Sequence, residues 1–190
     1  VIEEILSRNI RIEELRKKIK KQRSHKFNYD KNEILNFVNS LSFELTSSQH
    51  KAVDLICENL SEEYASSRLI QGDVGCGKTI VSAISAYATS LSDLQTAFLA
   101  PTELLVDQHY DYFKNLFNET NVKIGYLKSN MSIKLRNETL QHLENGSVDI
   151  VIGTHSLLNS SITFKHLGLC IIDEQHKFGI NQRSSFVSNR

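Results

Sequence analysis

From Leu45 onward, the apolar residues of this chain alternate between two textures. Short, nearly continuous runs at residues 69–70, 96–100, 122–127, 148–152 and 169–172 have the length and composition of buried strands. Between them, residues 78–89, 103–117 and 132–144 space their apolar positions as helices do. Such alternation predicts crossover units, and therefore an α/β fold whose mainly parallel sheet is covered on both faces. Thr46 is a good N-cap for one more helix ahead of this series, running to about Leu60 with Ala52, Val53, Leu55 and Ile56 on its buried side.

The N-terminal part reads differently. No glycine or proline occurs before Gln71, which favours helices joined by polar turns. Ile5, Ile12 and Ile19, with Leu15 between them, place an apolar stripe on one helix. From Arg8 to Lys26 that helix is basic, with nine Lys and Arg residues against Glu13 and Glu14. Charge of this kind on a helix is more often a solvated face than a nucleic-acid contact, and the solvated reading is the one expected here. Residues 24–30 read as a turn and 31–41 as a second short helix. The expected organisation is a helical appendage or linker over residues 1–41, followed by one domain over 42–190.

Composition narrows the class further. The 22 basic and 22 acidic residues cancel, so any nucleic-acid partner has to be argued from local sites. Cys57, Cys76 and Cys170 make no even-numbered framework and no CxxC pair, which predicts an intracellular, cytoplasmic protein. No apolar run approaches the roughly 20 residues of a spanning helix, and the opening residues are too acidic for a signal peptide, so no membrane partner is expected. His166 and Cys170 are four apart, but the cysteine lies in an apolar run, and structural zinc is not expected. The first residue is Val1, the one methionine is Met131, and no helix stop precedes Arg190. A piece of a longer protein is expected.

Chemistry enters at residues 72–79, Gly-Asp-Val-Gly-Cys-Gly-Lys-Thr, which satisfy the P-loop pattern G-x-x-x-x-G-K-[ST] between an expected strand ending at Gln71 and an expected helix. Backbone N–H groups of Gly72, Asp73, Val74, Gly75, Cys76 and Gly77 would converge on phosphates, which side chains at Gly75 and Gly77 would obstruct. Lys78 would reach the β and γ phosphates of ATP, and the Thr79 hydroxyl would ligate Mg²⁺. A second magnesium anchor is needed at the end of an apolar strand. Leu169-Cys170-Ile171-Ile172 leads to Asp173 for the metal and Glu174 as general base.

Asp173-Glu174-Gln175-His176, continuing through Lys177-Phe178-Gly179 to Gln182-Arg183, resembles motif II of superfamily 2 helicases, and more narrowly the bacterial RecG-type DNA helicases. Leu45-Thr46-Ser47-Ser48-Gln49 is similar to that family's LTxxQ element. Ala100-Pro101-Thr102-Glu103-Leu104-Leu105 with Gln108-His109 is similar to its motif Ia, and Gly153-Thr154-His155 to its motif Ib. The resemblance covers residues 43–183 and implies a RecA-like three-layer ATP-binding lobe, cut before motif III. It also implies that Gln49 reads adenine, that Pro101, Thr102, Thr154 and His155 lie along DNA, and that Gln175 and His176 couple nucleotide state to DNA. Gln49 read as a polar residue on the exposed side of its helix is the plainer alternative, and adenine contact is favoured because a P-loop needs a base site nearby. Thr102 is equally a helix cap from the residues alone, and Thr154 and His155 carry the same ambiguity.

By the same resemblance the complete protein would be a monomer with a second RecA-like lobe and a wedge domain, remodelling branched DNA such as stalled forks. Three positions depart from the pattern. Cys76 replaces a usual serine, Lys177 a usual arginine, and Leu127-Lys128-Ser129-Asn130 a usual Thr-Gly pair. The translocase module of a transcription-repair coupling factor is the alternative within the superfamily. Gln175 and the Pro101-Thr102-Glu103 triplet favour the RecG type over it. A nucleotide-gated binding module without motor activity is the alternative outside it. A small-molecule kinase is disfavoured, because no Arg-rich lid lies between Thr79 and Asp173.

Overall fold

A computed structural model describes residues 24–25, 27–159 and 161–174, with Leu158 by its backbone only. The stripe of Ile5, Ile12 and Ile19, nearly all of the basic run, and Gln175, His176 and the residues after them lie outside the described residues.

Among the described residues four parallel strands form the centre: β1 (Gln95–Leu99), β2 (Ile124–Leu127), β3 (Ile150–Gly153) and β4 (Leu167–Ile172), in the spatial order β2-β3-β1-β4. Each expected strand from residue 96 onward forms within a few positions of its apolar run. Successive residues of a strand face opposite sides, and β1 shows the result. Phe98 faces one core together with Ile150 and Ile152 of β3, while Ala97 and Leu99 face another together with Val151. All five β1 residues are buried, as a central strand covered on both faces requires.

Among the described residues, five α-helices cover the sheet. α1 (Lys31–Ser40), α2 (Ser47–Leu60), α3 (Lys78–Ser90) and α4 (Glu103–Leu116) send most of their buried apolar side chains to the Phe98 face, with Leu60 of α2 joining Phe27 and Leu94 in a smaller cluster, and α5 (Ile133–Asn145) sends Leu143 to the other. This is the three-layer arrangement expected. The helix starts follow short-range chemistry. Asp30, Thr46, Thr102 and Ser132 each accept a backbone N–H in the first turn they cap, and Gly146 ends α5 with φ +75°. No helix among the described residues is long and apolar enough to cross a membrane.

Two expectations are corrected. Leu69 and Ile70 join no strand. Leu69 is 69% exposed, and only Ile70 packs against the core. Two apolar residues flanked by Arg68 and Gln71 bury too little surface to impose a register, and Arg68 is instead drawn to the Asn59 side chain at 2.8 Å. Leu55, expected inside, is exposed, and Cys57 and Leu60 take the buried side of α2. α1, within residues 1–41, packs on the core. Phe37 stacks on Tyr87 and Phe117, with ring centroids 4.5 and 5.3 Å away, so α1 contributes to the same core.

Candidate nucleotide site

The loop preceding α3 is shaped by its glycines. Gly75 and Gly77 both adopt φ +81°, a backbone region costly for residues with a Cβ. Gly77 is the N-cap of α3 and offers no side-chain cap, so the first N–H groups of that helix remain available to an anion. Around a Cβ placed on Gly75 there is open space, whereas one on Gly77 would collide with the Gln49 amide.

Gln49 thereby has two tasks. Its Oε1 accepts the Thr46 N–H at 2.8 Å, completing a capping box on α2, and its Nε2 donates to the Cys76 carbonyl at 3.1 Å. The helix cap and the glycine-rich loop are thus one hydrogen-bonded unit. One amide N–H and one lone pair of Gln49 are left for a ligand. Lys78 folds toward its own loop, donating to the carbonyls of Gly72 at 2.8 Å and Asp73 at 2.7 Å, with the Cys76 sulfur 3.8 Å away.

Asp173 arrives from the other direction in the chain. Its N–H donates to Leu99 O at 2.9 Å, which carries the β1–β4 pairing one residue past β4 and sets the carboxyl at the C-terminal edge of the sheet. There the carboxylate is held twice. His109 Nε2, from α4, lies 2.9 Å from Oδ2, and the Glu174 N–H donates to Oδ1 at 3.0 Å. His109, aided by the nearby positive charge of Lys78, keeps the Asp173 carboxyl below the ordinary carboxylate range against the opposing effect of burial. Glu174 is exposed and adopts φ +52°, an uncommon conformation for a residue with a side chain.

Gly75, Gly77, Lys78, Thr79 and Asp173, separated by almost a hundred positions in the chain, line one cleft of about 420 Å³ together with Gln49, Phe43, Gln108, His109 and Tyr112. The donor set suits magnesium. A hydroxyl and a carboxylate are hard oxygen ligands, and Mg²⁺ on a nucleotide takes only one or two protein ligands besides phosphate and water. No cluster of three or more His, Cys, Asp or Glu residues fit to hold a metal by themselves occurs among the described residues.

The residues expected along DNA separate into two kinds. Thr102 is exposed and caps α4 through the Leu105 N–H, and Pro101 beside it is half-buried. Thr154 is 4% exposed, and its hydroxyl lies 3.2 Å from that of Ser156, so its side chain is turned into the protein. His155 is the exposed member of that pair. Burial follows from Thr154 starting a tight helical turn, His155–Leu158, whose Leu157 is packed in the core.

Sequence reasoning missed the pairing of His109 with Asp173. A signal was present: Val106, His109 and Phe113 lie three and four residues apart, which puts a histidine on the stripe that α4 buries. Tyr112, also on α4, is a further cleft-lining residue that the sequence reading did not single out for the site.

Residues 46–189 match the family described as DEAD/DEAH box helicase. The chain is 40% identical over 184 residues to the ATP-dependent DNA helicase RecG of Bacillus subtilis, covering 96% of this chain and 27% of that protein. It is similar in structure to RecG bound to a three-way DNA junction, with a TM-score of 0.82, 36% identity, and coverage of 87% of this chain and 23% of that one. A likeness of fold alone extends to the UvsW helicase of bacteriophage T4, with a TM-score of 0.61, 18% identity, and coverage of 87% of this chain and 58% of that one. The chain spans about a quarter of the length of the RecG relatives it matches.

Proposed function

We propose, from the premise that this chain belongs to the DEAD/DEAH box helicase family, that it is the ATP-binding RecA-like lobe of a RecG-type DNA translocase. The lobe would begin near Phe27, whose ring is buried in the fold, and not at residue 42. The observation that carries the reading is the shared cleft of Lys78, Thr79 and Asp173.

In this reading the loop from Gly72 to Gly77 and the N-terminus of α3 receive the phosphates of ATP. Lys78 exchanges its two backbone carbonyls for phosphate oxygens, and Gln49 turns its remaining amide capacity to adenine. Thr79 and Asp173 would hold Mg²⁺, which neutralises developing charge on the phosphates. Glu174 orients and deprotonates the attacking water, and Gln175 and His176 relay nucleotide state. His155, Pro101 and Thr102 are the surface we assign to DNA, with Thr154 shaping the turn beneath it. A second RecA-like lobe would supply an arginine finger, a contribution on the order of 10³-fold or more to the rate. The whole protein would act in the cytoplasm, as a monomer, on branched DNA such as stalled forks, a substrate class suggested by the RecG relatives.

The test is steady-state ATP hydrolysis by the full-length protein with and without a synthetic three-way junction, since the 190-residue lobe alone is expected to be weakly active or inactive. Junction-stimulated hydrolysis, lowered at least about 100-fold in Lys78→Ala, is expected. Hydrolysis indifferent to DNA would replace the motor with a nucleotide-gated binding module.

A further inference from the structure

The Asp173 carboxylate is positioned by a residue outside both the P-loop and the acidic pair. His109 Nε2 sits 2.9 Å from Oδ2 with the histidine side chain only 11% exposed, against 30% for the aspartate. The imidazole is fixed from behind by Phe98, whose ring centroid is 4.7 Å away at an interplanar angle of 53°. Phe98 belongs to the central strand, and Phe113, one helical turn beyond His109, closes on the same ring at 5.3 Å. The histidine therefore has little rotational freedom, and its N–H direction is set by the sheet and α4 together.

α4 is also held at its other end. Glu103 Oε1 accepts the Ser129 N–H at 3.0 Å, and Asp107 pairs with Lys128 at 2.6 Å, tying the first turns of the helix to the loop after β2. Asp107 and His109 are two positions apart, so the loop and Asp173 are gripped from different faces of one helix turn. A metal-ligating carboxylate generally depends on such an outer hydrogen bond for its orientation, and loss of one typically weakens metal binding 10- to 100-fold.

We propose that His109 is a positioning residue for Asp173, donating its Nε2–H to Oδ2 so that the other face of the carboxylate is presented to the nucleotide-bound metal. The role deepens the ATP-lobe reading and rests on it. It also makes α4 the physical link between the loop at residues 128–129 and the metal side of the cleft.

The experiment is Mn²⁺ titration of the full chain followed by electron paramagnetic resonance, with a fluorescent ATP analogue whose affinity is measured with and without the metal. The variants are His109→Phe, which keeps an aromatic ring on Phe98 but has no donor, and His109→Gln, whose amide N–H reaches the place of Nε2. The expected result is a rise of about 10-fold or more in the Mn²⁺ concentration for half-occupancy in His109→Phe, with most of it restored in His109→Gln. A His109→Phe titration superimposed on wild type reduces the histidine to packing and overturns the role. So does a His109→Gln variant no better than His109→Phe while both melt at the wild-type temperature. If wild type itself binds the analogue without any gain from Mn²⁺, the ATP-lobe reading falls first and this one with it.

Discussion

The Gln49 side chain donates to the Cys76 carbonyl at 3.1 Å, joining the cap of one helix to the glycine-rich loop that opens another. The two ends of this amide can be separated by substitution. Gln49→Glu keeps an oxygen for the Thr46 N–H but turns a carboxylate toward the Cys76 carbonyl. Urea unfolding should move by less than about 1 kcal/mol, while affinity for a fluorescent ATP analogue falls about 10-fold. Gln49→Ala loses both bonds and should cost about 1 kcal/mol of stability as well. Equal nucleotide affinity in all three proteins would mean that the tether does not shape the loop.

Phe37 tests whether α1 is part of the lobe. Its ring is 6% exposed and stacked between Tyr87 of α3 and Phe117 at the end of α4. Phe37→Ala should destabilise the chain by about 3–5 kcal/mol, because a cavity is left between three elements that cannot all collapse into it. A loss under about 1 kcal/mol in chemical denaturation would return α1 to the status of an appendage.

The thiols should differ in reactivity. Cys76 is exposed on the glycine-rich loop, whereas Cys57 is buried and its desolvated thiol is pushed above the ordinary cysteine value. Iodoacetamide at neutral pH should modify Cys76 at least about 10-fold faster than Cys57, since the thiolate is the nucleophile and needs access. Mg·ATP should slow the reaction at Cys76 alone. Peptide mass spectrometry would reveal the order, and faster modification of Cys57 would contradict the packing of α2.

Asp149 supplies a pH dependence. Its carboxylate accepts the Lys123 N–H at 2.7 Å, yet burial outweighs that bond and raises its pKa above the ordinary value. Folding therefore favours the protonated form. The resulting cost of ionised Asp149 is absent below the ordinary carboxylate range, grows as pH rises through it, and is complete once pH exceeds the raised folded value. Asp149→Asn keeps an acceptor for Lys123 and removes the titration. Urea midpoints should place the variant at or above wild type at pH 7, by up to about 1 kcal/mol, with the gap narrowing near pH 4. A variant less stable at pH 7 than at pH 4, relative to wild type, would reverse the sign.

Much of this lobe was readable in one dimension because the forces involved act over a few residues. Thr46, Thr102 and Ser132 cap helices through N–H groups three positions away, and the left-handed backbone at Gly75 and Gly77 is encoded where it is used. Apolar runs marked four strands, and the acid after the last of them marked the edge of the sheet. Contacts across the fold were a different matter. No local rule orders the strands β2-β3-β1-β4, buries Thr154 while exposing His155, or withholds Leu69 from a ladder. Nor does spacing alone bring His109 to Asp173, because that meeting requires β1 to lie beside β4 with α4 packed over Phe98. Caps and turns are local hydrogen-bond chemistry, whereas partners 64 positions apart are chosen by how whole faces pack, and that choice exists only once the sheet has closed on its helices.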